Sequence, residues 1–187
     1  MARIIAIANQ KGGVGKTTTA VNLAAALART PKRVLLIDLD PQGNATMGSG
    51  VDKRELENSI TDVLLGEAQA VDAIVRCEDG YDLLPGNIDL TAAEIRLMDE
   101  AGREARLKQA IETVRGGYDF VIVDCPPSLS LLTLNALNAS DSVLVPMQCE
   151  YYALEGLSAL LDTIEALKGR LNPNLEIEGV LRTMFDV

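Results

Sequence analysis

A chain of 187 residues, of which 48% are hydrophobic and 24% charged, is long enough to bury the core of one domain. The net charge of −10 argues against a protein whose whole surface binds nucleic acid, and no apolar run is long enough to cross a bilayer. The three cysteines are scattered and form no CxxC pair, which argues against a disulfide framework or a zinc site and favours a reducing cytoplasm.

The hydrophobic pattern predicts alternating strands and helices. Continuous apolar runs rich in Val and Ile indicate strands buried on both faces, as in a parallel sheet. These runs are residues 3–9, 33–39, 119–124 and 142–147, with weaker candidates at 81–86 and 176–184. Helical patterns cover residues 16–29, 103–115, 130–139 and 153–170, whereas residues 41–58 are expected to form an exposed loop.

This alternation predicts an α/β domain with a doubly wound, mostly parallel sheet, helices on both faces, and sites at the carboxyl ends of the strands. The chain ends in "GVLRTMFDV", directly after the last predicted strand and without a closing helix. We therefore expect a single domain over residues 1–187 that is incomplete at its C-terminus.

The stretch "KGGVGKTT" (11–18) joins the first predicted strand to the first predicted helix, and its second half fits the phosphate-binding pattern G-x-x-x-x-G-K-[ST]. Gln10 stands where that pattern begins with glycine, and an extra lysine, Lys11, follows it. Glycines let backbone amides approach phosphate oxygens, and the following helix points its positive end at them. We therefore predict that Lys16 neutralises the β- and γ-phosphates and that the Thr17 hydroxyl binds Mg²⁺.

The charge is distributed as such a site requires. Residues 1–48 carry six Lys or Arg and two Asp, whereas residues 49–187 carry eleven basic and twenty-five acidic residues. A cationic N-terminal third suits a polyphosphate ligand, although a solvated surface explains much of the excess.

Three aspartates lie at the predicted ends of strands. Asp124 ends the run "FVIVD", where a carboxylate can hold Mg²⁺ through its water shell. Asp38 and Asp40 are two residues apart and share one face while the strand continues. The chain has no histidine, so a carboxylate has to orient the attacking water in hydrolysis. Asp40 is the candidate for that role, with Asp38 nearer the metal shell.

The segments "KGGVGKTT", "LLIDLDPQGNAT", "LLPGNIDL" and "FVIVDCPPSLSLLTLNAL" together resemble the ParA branch of the deviant-Walker-A ATPases, relatives of MinD and the nitrogenase iron protein. The resemblance spans essentially the whole chain. It implies a Rossmann-like P-loop ATPase that binds and slowly hydrolyses Mg-ATP and dimerises face to face around two nucleotides.

The resemblance also implies roles for individual residues. The signature lysine of the family, which reaches the nucleotide of the partner subunit, falls on Lys11, and the P-loop lysine falls on Lys16. The metal-binding hydroxyl and Walker B carboxylate fall on Thr17 and Asp124, and the water-orienting carboxylate falls on Asp40. The other positions expected to contact the nucleotide are Gly12, Gly13, Val14, Gly15, Thr18 at the α-phosphate, and Met184 and Asp186 near the base.

Family members bind nonspecific DNA as ATP-bound dimers and are stimulated by a ParB-like partner while they partition plasmids or chromosomes. ParA proteins continue past "TMFD" through helices that carry basic DNA-contacting residues. We therefore expect a cytoplasmic protein without a membrane partner, which is nucleoid-associated only if it binds DNA, and weak DNA binding by residues 1–187.

Two alternatives stay open. A MinD-like ATPase that positions machinery at a membrane would need a C-terminal amphipathic helix. An electron-transfer protein like the nitrogenase iron protein would need cysteines placed to bridge a dimer, and Cys125 directly after Asp124 is poorly placed for that. The "DPQGN" segment favours ParA over MinD.

Overall fold

The continuous apolar runs form the centre of a seven-stranded sheet in the computed structural model, which describes residues 1–150 and 153–185. The strands are β1 (Arg3–Ile7), β2 (Val34–Asp38), β3 (Val75–Arg76), β4 (Asp82–Leu84), β5 (Phe120–Asp124), β6 (Ser142–Gln148) and β7 (Glu176–Thr183). Their order across the sheet is β3-β4-β2-β5-β1-β6-β7, and all neighbours are parallel except β3 and β4. The predicted doubly wound, mostly parallel sheet is confirmed.

Eight α-helices lie in the described part of the chain. They are α1 (Lys16–Ala28), α2 (Asn44–Gly48), α3 (Ile60–Leu65), α4 (Ala70–Ala73), α5 (Leu90–Leu97), α6 (Arg106–Val114), α7 (Leu131–Ala139) and α8 (Ala153–Lys168). The helix predicted over 103–115 is divided, because a 3₁₀ turn at Arg103–Ala105 precedes α6.

The prediction of an exposed loop over residues 41–58 is wrong in its first half. Residues 44–48 form α2, and Ala45 and Thr46 on this helix are buried. A helix of five residues is too short to produce a recognisable hydrophobic period, so the sequence pattern did not reveal it.

Alternate side chains of the central strands enter two separate cores. Ile5, Ile7 and Leu36 pack on one face with Ala20 and Ala24 of α1. The opposite face is larger and is covered by α3 to α8. Burial on both faces explains why the central strands are continuously hydrophobic rather than alternating.

The register of the parallel strands determines where the functional side chains lie. Asp124 at the end of β5 pairs with Ile7 of β1 on one side and with Asp38 of β2 on the other. The three strands therefore end at the same level, and the loops that follow them meet at one edge of the sheet.

Strand β7 lies at the opposite border of the sheet from β3 and pairs with β6. It is open on both faces, since Ile177, Val180 and Leu181 are all exposed although they are hydrophobic. Its C-terminal residue, Thr183, nevertheless reaches the loop after β1.

Candidate functional site

The loop between β1 and α1 has the backbone that the glycine pattern predicts. Gly13 and Gly15 adopt positive φ angles of 73° and 87°, a conformation that residues with a side chain rarely adopt. Gly15 is the N-cap of α1, and the first turn of this helix has neither a side-chain cap nor an acidic residue. The N–H groups at the helix start are therefore available to an anion.

A cavity of about 350 Å³ opens above this helix terminus. Its walls are formed by Gly12, Gly13, Gly15, Lys16, Thr17, Thr18, Asp40, Gln42, Asn44, Pro127 and Met184. Eight of the eleven were predicted from the sequence, namely the six residues of the loop and the first turn of α1 together with Asp40 and Met184.

Lys16 is buried at the base of the cavity. Its ammonium donates a hydrogen bond to the Lys11 carbonyl oxygen at 3.2 Å. Burial lowers the pKa of Lys16, and the negative charges of Asp124 and Asp40 oppose that shift. A desolvated ammonium next to the helix terminus gains more from an anionic ligand than it would in water.

Asp124 is fully buried and does not line the cavity, but the charges of the cavity residues Lys16 and Asp40 act on it, and neither of its carboxylate oxygens has a hydrogen-bond partner among the described residues. Burial, and after it the charge of Asp38, raises the pKa of Asp124 to about 8. The nearby Thr17 hydroxyl partly opposes this rise in the pKa of Asp124, although it does not form a hydrogen bond with the carboxylate. A buried carboxylate without a partner is costly unless a cation completes the site.

Asp38 differs from Asp124 because its carboxylate is fully engaged. It accepts hydrogen bonds from the Thr46 amide and hydroxyl, both at 2.7 Å, and from the Asp40 amide at 3.2 Å. Burial still raises the pKa of Asp38 to about 6. Asp38 does not line the cavity, and its assignment to the metal shell stays a prediction.

Asp40 is the carboxylate that reaches the cavity itself. One of its oxygens accepts a hydrogen bond from the Gln42 amide at 2.9 Å, which fixes the side chain at the cavity wall. This is the placement that the predicted water-orienting residue needs, because the attacking water has to lie beside the phosphate.

These residues fit a magnesium ion. No group of three or more His, Cys, Asp or Glu that would enclose a metal occurs among residues 1–150 and 153–185. Mg²⁺ does not need such a cage, because it keeps several waters and is completed by one or two side chains and the phosphates of its substrate. The unpartnered oxygens of Asp124, together with the adjacent Thr17, suit that mode.

Lys11 points away from the cavity wall. Its ammonium lies 2.7 Å from a carboxylate oxygen of Glu150, and the two side chains are 36% and 60% exposed. The Lys11 amide donates to the Asn9 side chain, whose own amide donates to the Pro146 carbonyl oxygen. Lys11 and the buried Val14 are the predicted loop residues that do not line the cavity.

Met184 also lines the cavity, with a positive φ of 51°, and its contact with the base stays a prediction. Asp186 lies outside the described residues. Sequence reasoning missed Gln42, Asn44 and Pro127 as wall residues. They lie two to four residues after the strand-end aspartates in "DPQGN" and "DCPP", and that position was the signal that would have identified them.

In the described part of the chain, every helix is too short or too polar to cross a bilayer.

Comparisons with known proteins place this chain in a family. A family model described as an AAA domain matches residues 2–177. The sporulation initiation inhibitor protein Soj of Bacillus subtilis is 57% identical over 187 residues, which cover 100% of this chain and 74% of Soj. The chromosome partitioning protein ParA of Caulobacter vibrioides is 54% identical, with 98% of this chain and 70% of that protein covered.

Among solved structures, the chain is similar to one from Mycobacterium smegmatis that is described as a cobyrinic acid a,c-diamide synthase with a bound ATP analog and magnesium. The TM-score is 0.97 at 48% identity, and the similarity covers 100% of this chain and 76% of that chain.

Proposed function

We propose a function on the premise that the chain belongs to the ParA family of P-loop ATPases. In this proposal the protein binds Mg-ATP, hydrolyses it slowly and thereby switches between a monomer and a dimer in DNA partition. The observation that supports this most directly is the unpartnered, buried carboxylate of Asp124 beside Lys16 at the start of α1. A nucleotide with its metal would supply both the anion that Lys16 lacks and the cation that Asp124 lacks.

In this proposal, the loop and α1 hold the triphosphate. The backbone of Gly12, Gly13 and Gly15 faces the phosphates, and Lys16 neutralises the β- and γ-phosphates. Thr17 and Asp124 hold Mg²⁺, which neutralises charge on the phosphate oxygens when bound. Met184, which lines the cavity, would contact the base.

Asp40 orients the water that attacks the γ-phosphate. Its hydrogen bond from the Gln42 amide restrains one oxygen and leaves the other free to accept from a water. Because the loop and α1 hold the phosphates in this proposal, Asp40 contributes to the barrier of hydrolysis and little to nucleotide affinity.

Lys11 supplies positive charge to the nucleotide of a second subunit. Its pair with Glu150 is solvent-exposed, and such pairs contribute about 0–1 kcal/mol, so a phosphate group readily replaces the carboxylate. Charge supplied in trans stabilises the transition state and makes hydrolysis depend on assembly, as an arginine finger does.

The first test is calorimetric titration of Mg-ATP into the protein, with EDTA added in a parallel titration. We expect saturable binding that weakens strongly without the metal. Binding that is absent, or equally tight in EDTA, would exclude the assigned role of Asp124.

The second test concerns assembly. Light scattering of the Asp40→Ala variant with ATP should show a dimer, because slow turnover lets it accumulate. Adding Lys11→Ala should return the protein to a monomer that still binds ATP, whereas adding Glu150→Gln as the control should leave the dimer intact. A dimer that survives Lys11→Ala would show that this lysine does not act between subunits.

The partition role further implies a ParB-like protein that stimulates turnover and nonspecific DNA that binds the ATP-bound dimer. Phosphate release measured with and without a ParB-like protein, in the presence of duplex DNA, tests both partners. No stimulation by any combination would argue against partition as the use of the switch.

The similarity to the mycobacterial structure favours a second candidate, in which ATP activates a carboxylate for amide formation. Both reactions use the same Mg-ATP site and differ in the group that accepts the γ-phosphoryl. Phosphate release in ¹⁸O-labelled water, with neither a carboxylic acid nor an amine added, distinguishes them. Steady release of labelled phosphate supports the switch, and turnover that requires both additions supports the synthase.

A further inference from the structure

One side chain of the edge strand β7, that of Thr183, contacts the phosphate loop. The Thr183 hydroxyl donates a hydrogen bond to the Val14 carbonyl oxygen at 2.8 Å, across 169 positions of sequence. The Thr183 methyl carbon lies 3.6 Å from the position that a Cβ atom on Gly15 would occupy. In the sheet, β7 and the strands that carry Asp38 and Asp124 lie on opposite sides of β1, the strand that leads into the loop.

This hydrogen bond fixes the orientation of one peptide group in the loop. The Val14 carbonyl and the Gly15 N–H belong to the same peptide, and in a trans peptide they point in opposite directions. Gly15 lines the nucleotide cavity, whereas Thr183 does not. Holding the carbonyl oxygen towards Thr183 thus directs the Gly15 N–H away from β7.

A neighbouring contact repeats the arrangement one peptide earlier. Gln148, the last residue of β6, donates from its side-chain amide to the Gly13 carbonyl oxygen at 3.3 Å and also contacts the Met184 sulfur at 2.9 Å. Because Gly13 and Gly15 both adopt left-handed φ angles, the intervening peptides have no regular helix or strand to hold them. The carboxyl ends of β6 and β7 supply the restraint instead.

We propose that Thr183 is a positioning residue for nucleotide binding, whose hydroxyl orients the Val14–Gly15 peptide so that its N–H faces the phosphates. This rests on the proposed function of the cavity as a Mg-ATP site. It extends that function to a residue outside the loop, on the most exposed strand of the sheet.

Two substitutions separate the hydroxyl from the methyl group. Thr183→Val keeps the side-chain shape and the contact with Gly15 but removes the donor, which leaves the Val14 carbonyl unpaired. Thr183→Ser keeps the donor and removes the methyl group. We expect Thr183→Val to weaken Mg-ATP binding about 5-fold, the usual effect of one lost hydrogen bond, and Thr183→Ser to bind within about 2-fold of the parent.

Inorganic triphosphate is the decisive probe, because Thr183 is adjacent to Met184, which is proposed to contact the base. If the hydroxyl orients the loop, Thr183→Val should weaken the binding of Mg-triphosphate and the binding of Mg-ATP by the same factor. A loss seen with Mg-ATP alone would overturn the proposal in favour of a contact near the base. Unchanged affinity for both ligands, with only a lower melting temperature, would overturn it in favour of a purely structural role.

Gln148→Met provides a second variant if Thr183→Val folds poorly, since it removes the donor to Gly13 at similar volume. It should weaken the binding of both ligands less than Thr183→Val does, because the hydrogen bond from Gln148 is longer than that from Thr183. Unchanged binding of both ligands would count against the proposal. Failure of the parent protein to bind Mg-ATP would instead refute the proposed function, so the two failures are distinguishable.

Discussion

Replacing Asp124 with Asn should stabilise the nucleotide-free protein at pH 8 while it weakens Mg-ATP binding. The carboxylate is fully buried and has no hydrogen-bond partner, and its pKa is raised from 3.8 to about 8. The folded protein therefore holds a proton on Asp124 that the unfolded chain releases above its ordinary pKa. The contribution of Asp124 to the free energy of unfolding is therefore fully present below pH 4 and is lost as pH rises towards 8.

The size of the effect follows from the same linkage. When the folded state holds one proton that the unfolded chain has released, each unit of rising pH lowers the free energy of unfolding by about 1.4 kcal/mol. As pH rises from 6 to 8, the titration of Asp124 should thus lower the free energy of unfolding by about 2 kcal/mol. Asp38, with a pKa of about 6, loses most of its contribution below this window. The chain has no histidine, so no imidazole titrates within it.

Urea unfolding followed by far-ultraviolet circular dichroism measures this, since the chain has no tryptophan for fluorescence. We expect the unfolding free energy of the parent to fall between pH 6 and 8 in EDTA, and that of Asp124→Asn to stay nearly constant. The exposed Asp99 provides the control, because Asp99→Asn should retain the slope of the parent. Titration with Mg-ATP should show at least about 10-fold weaker binding by Asp124→Asn, since a neutral amide is a poor Mg²⁺ ligand. Parallel pH profiles for the parent and Asp124→Asn would refute the reasoning.

Three further changes test the site and its support. Lys16→Ala should weaken Mg-ATP binding about 100-fold by calorimetry, because it removes charge-assisted hydrogen bonds in a desolvated site, and undiminished affinity would exclude the assignment. Asp40→Ala should keep its ATP affinity and lose at least about 100-fold in phosphate release, and near-normal turnover would transfer the role to another residue. Gly86→Ala should destabilise the fold by about 1–3 kcal/mol in urea, because the new Cβ would lie 2.3 Å from the Asp38 carbonyl oxygen. Gly116→Ala, which has nothing within 4 Å of its Cβ position, is the matched control and should unfold like the parent.

The parts of the site that are local in sequence were predictable. The loop before Lys16 combines a strand, a glycine pattern and a helix within a few residues, and the strand-end position of Asp124 follows from one apolar run. Helix α3 also has a local signal, since Ser59 and Asp62 form a capping box that sequence reasoning overlooked.

Other parts depend on contacts that no local pattern contains. Asp38 and Asp40 are both strand-end aspartates in the sequence, but their surroundings differ in the fold. Thr46 of α2 donates hydrogen bonds to Asp38, whereas Asp40 lines the cavity. The close approach of Gly86 to Asp38 and the hydrogen bond from Thr183 to Val14 join segments that only the folded sheet brings together.

The cavity wall takes residues from Gly12 to Met184, nearly the full length of the described chain. Contacts of such long range form late, because the entropy of closing the intervening chain has to be overcome before they contribute. A folding intermediate that lacks β7 would also lack Thr183 against the loop, and it should bind nucleotide poorly. A ligand that binds the native state alone stabilises it by about 2.7 kcal/mol at 100 times its dissociation constant. ATP would then act on this protein as a folding ligand, and resistance of the chain to proteolysis would rise and fall with the nucleotide supply.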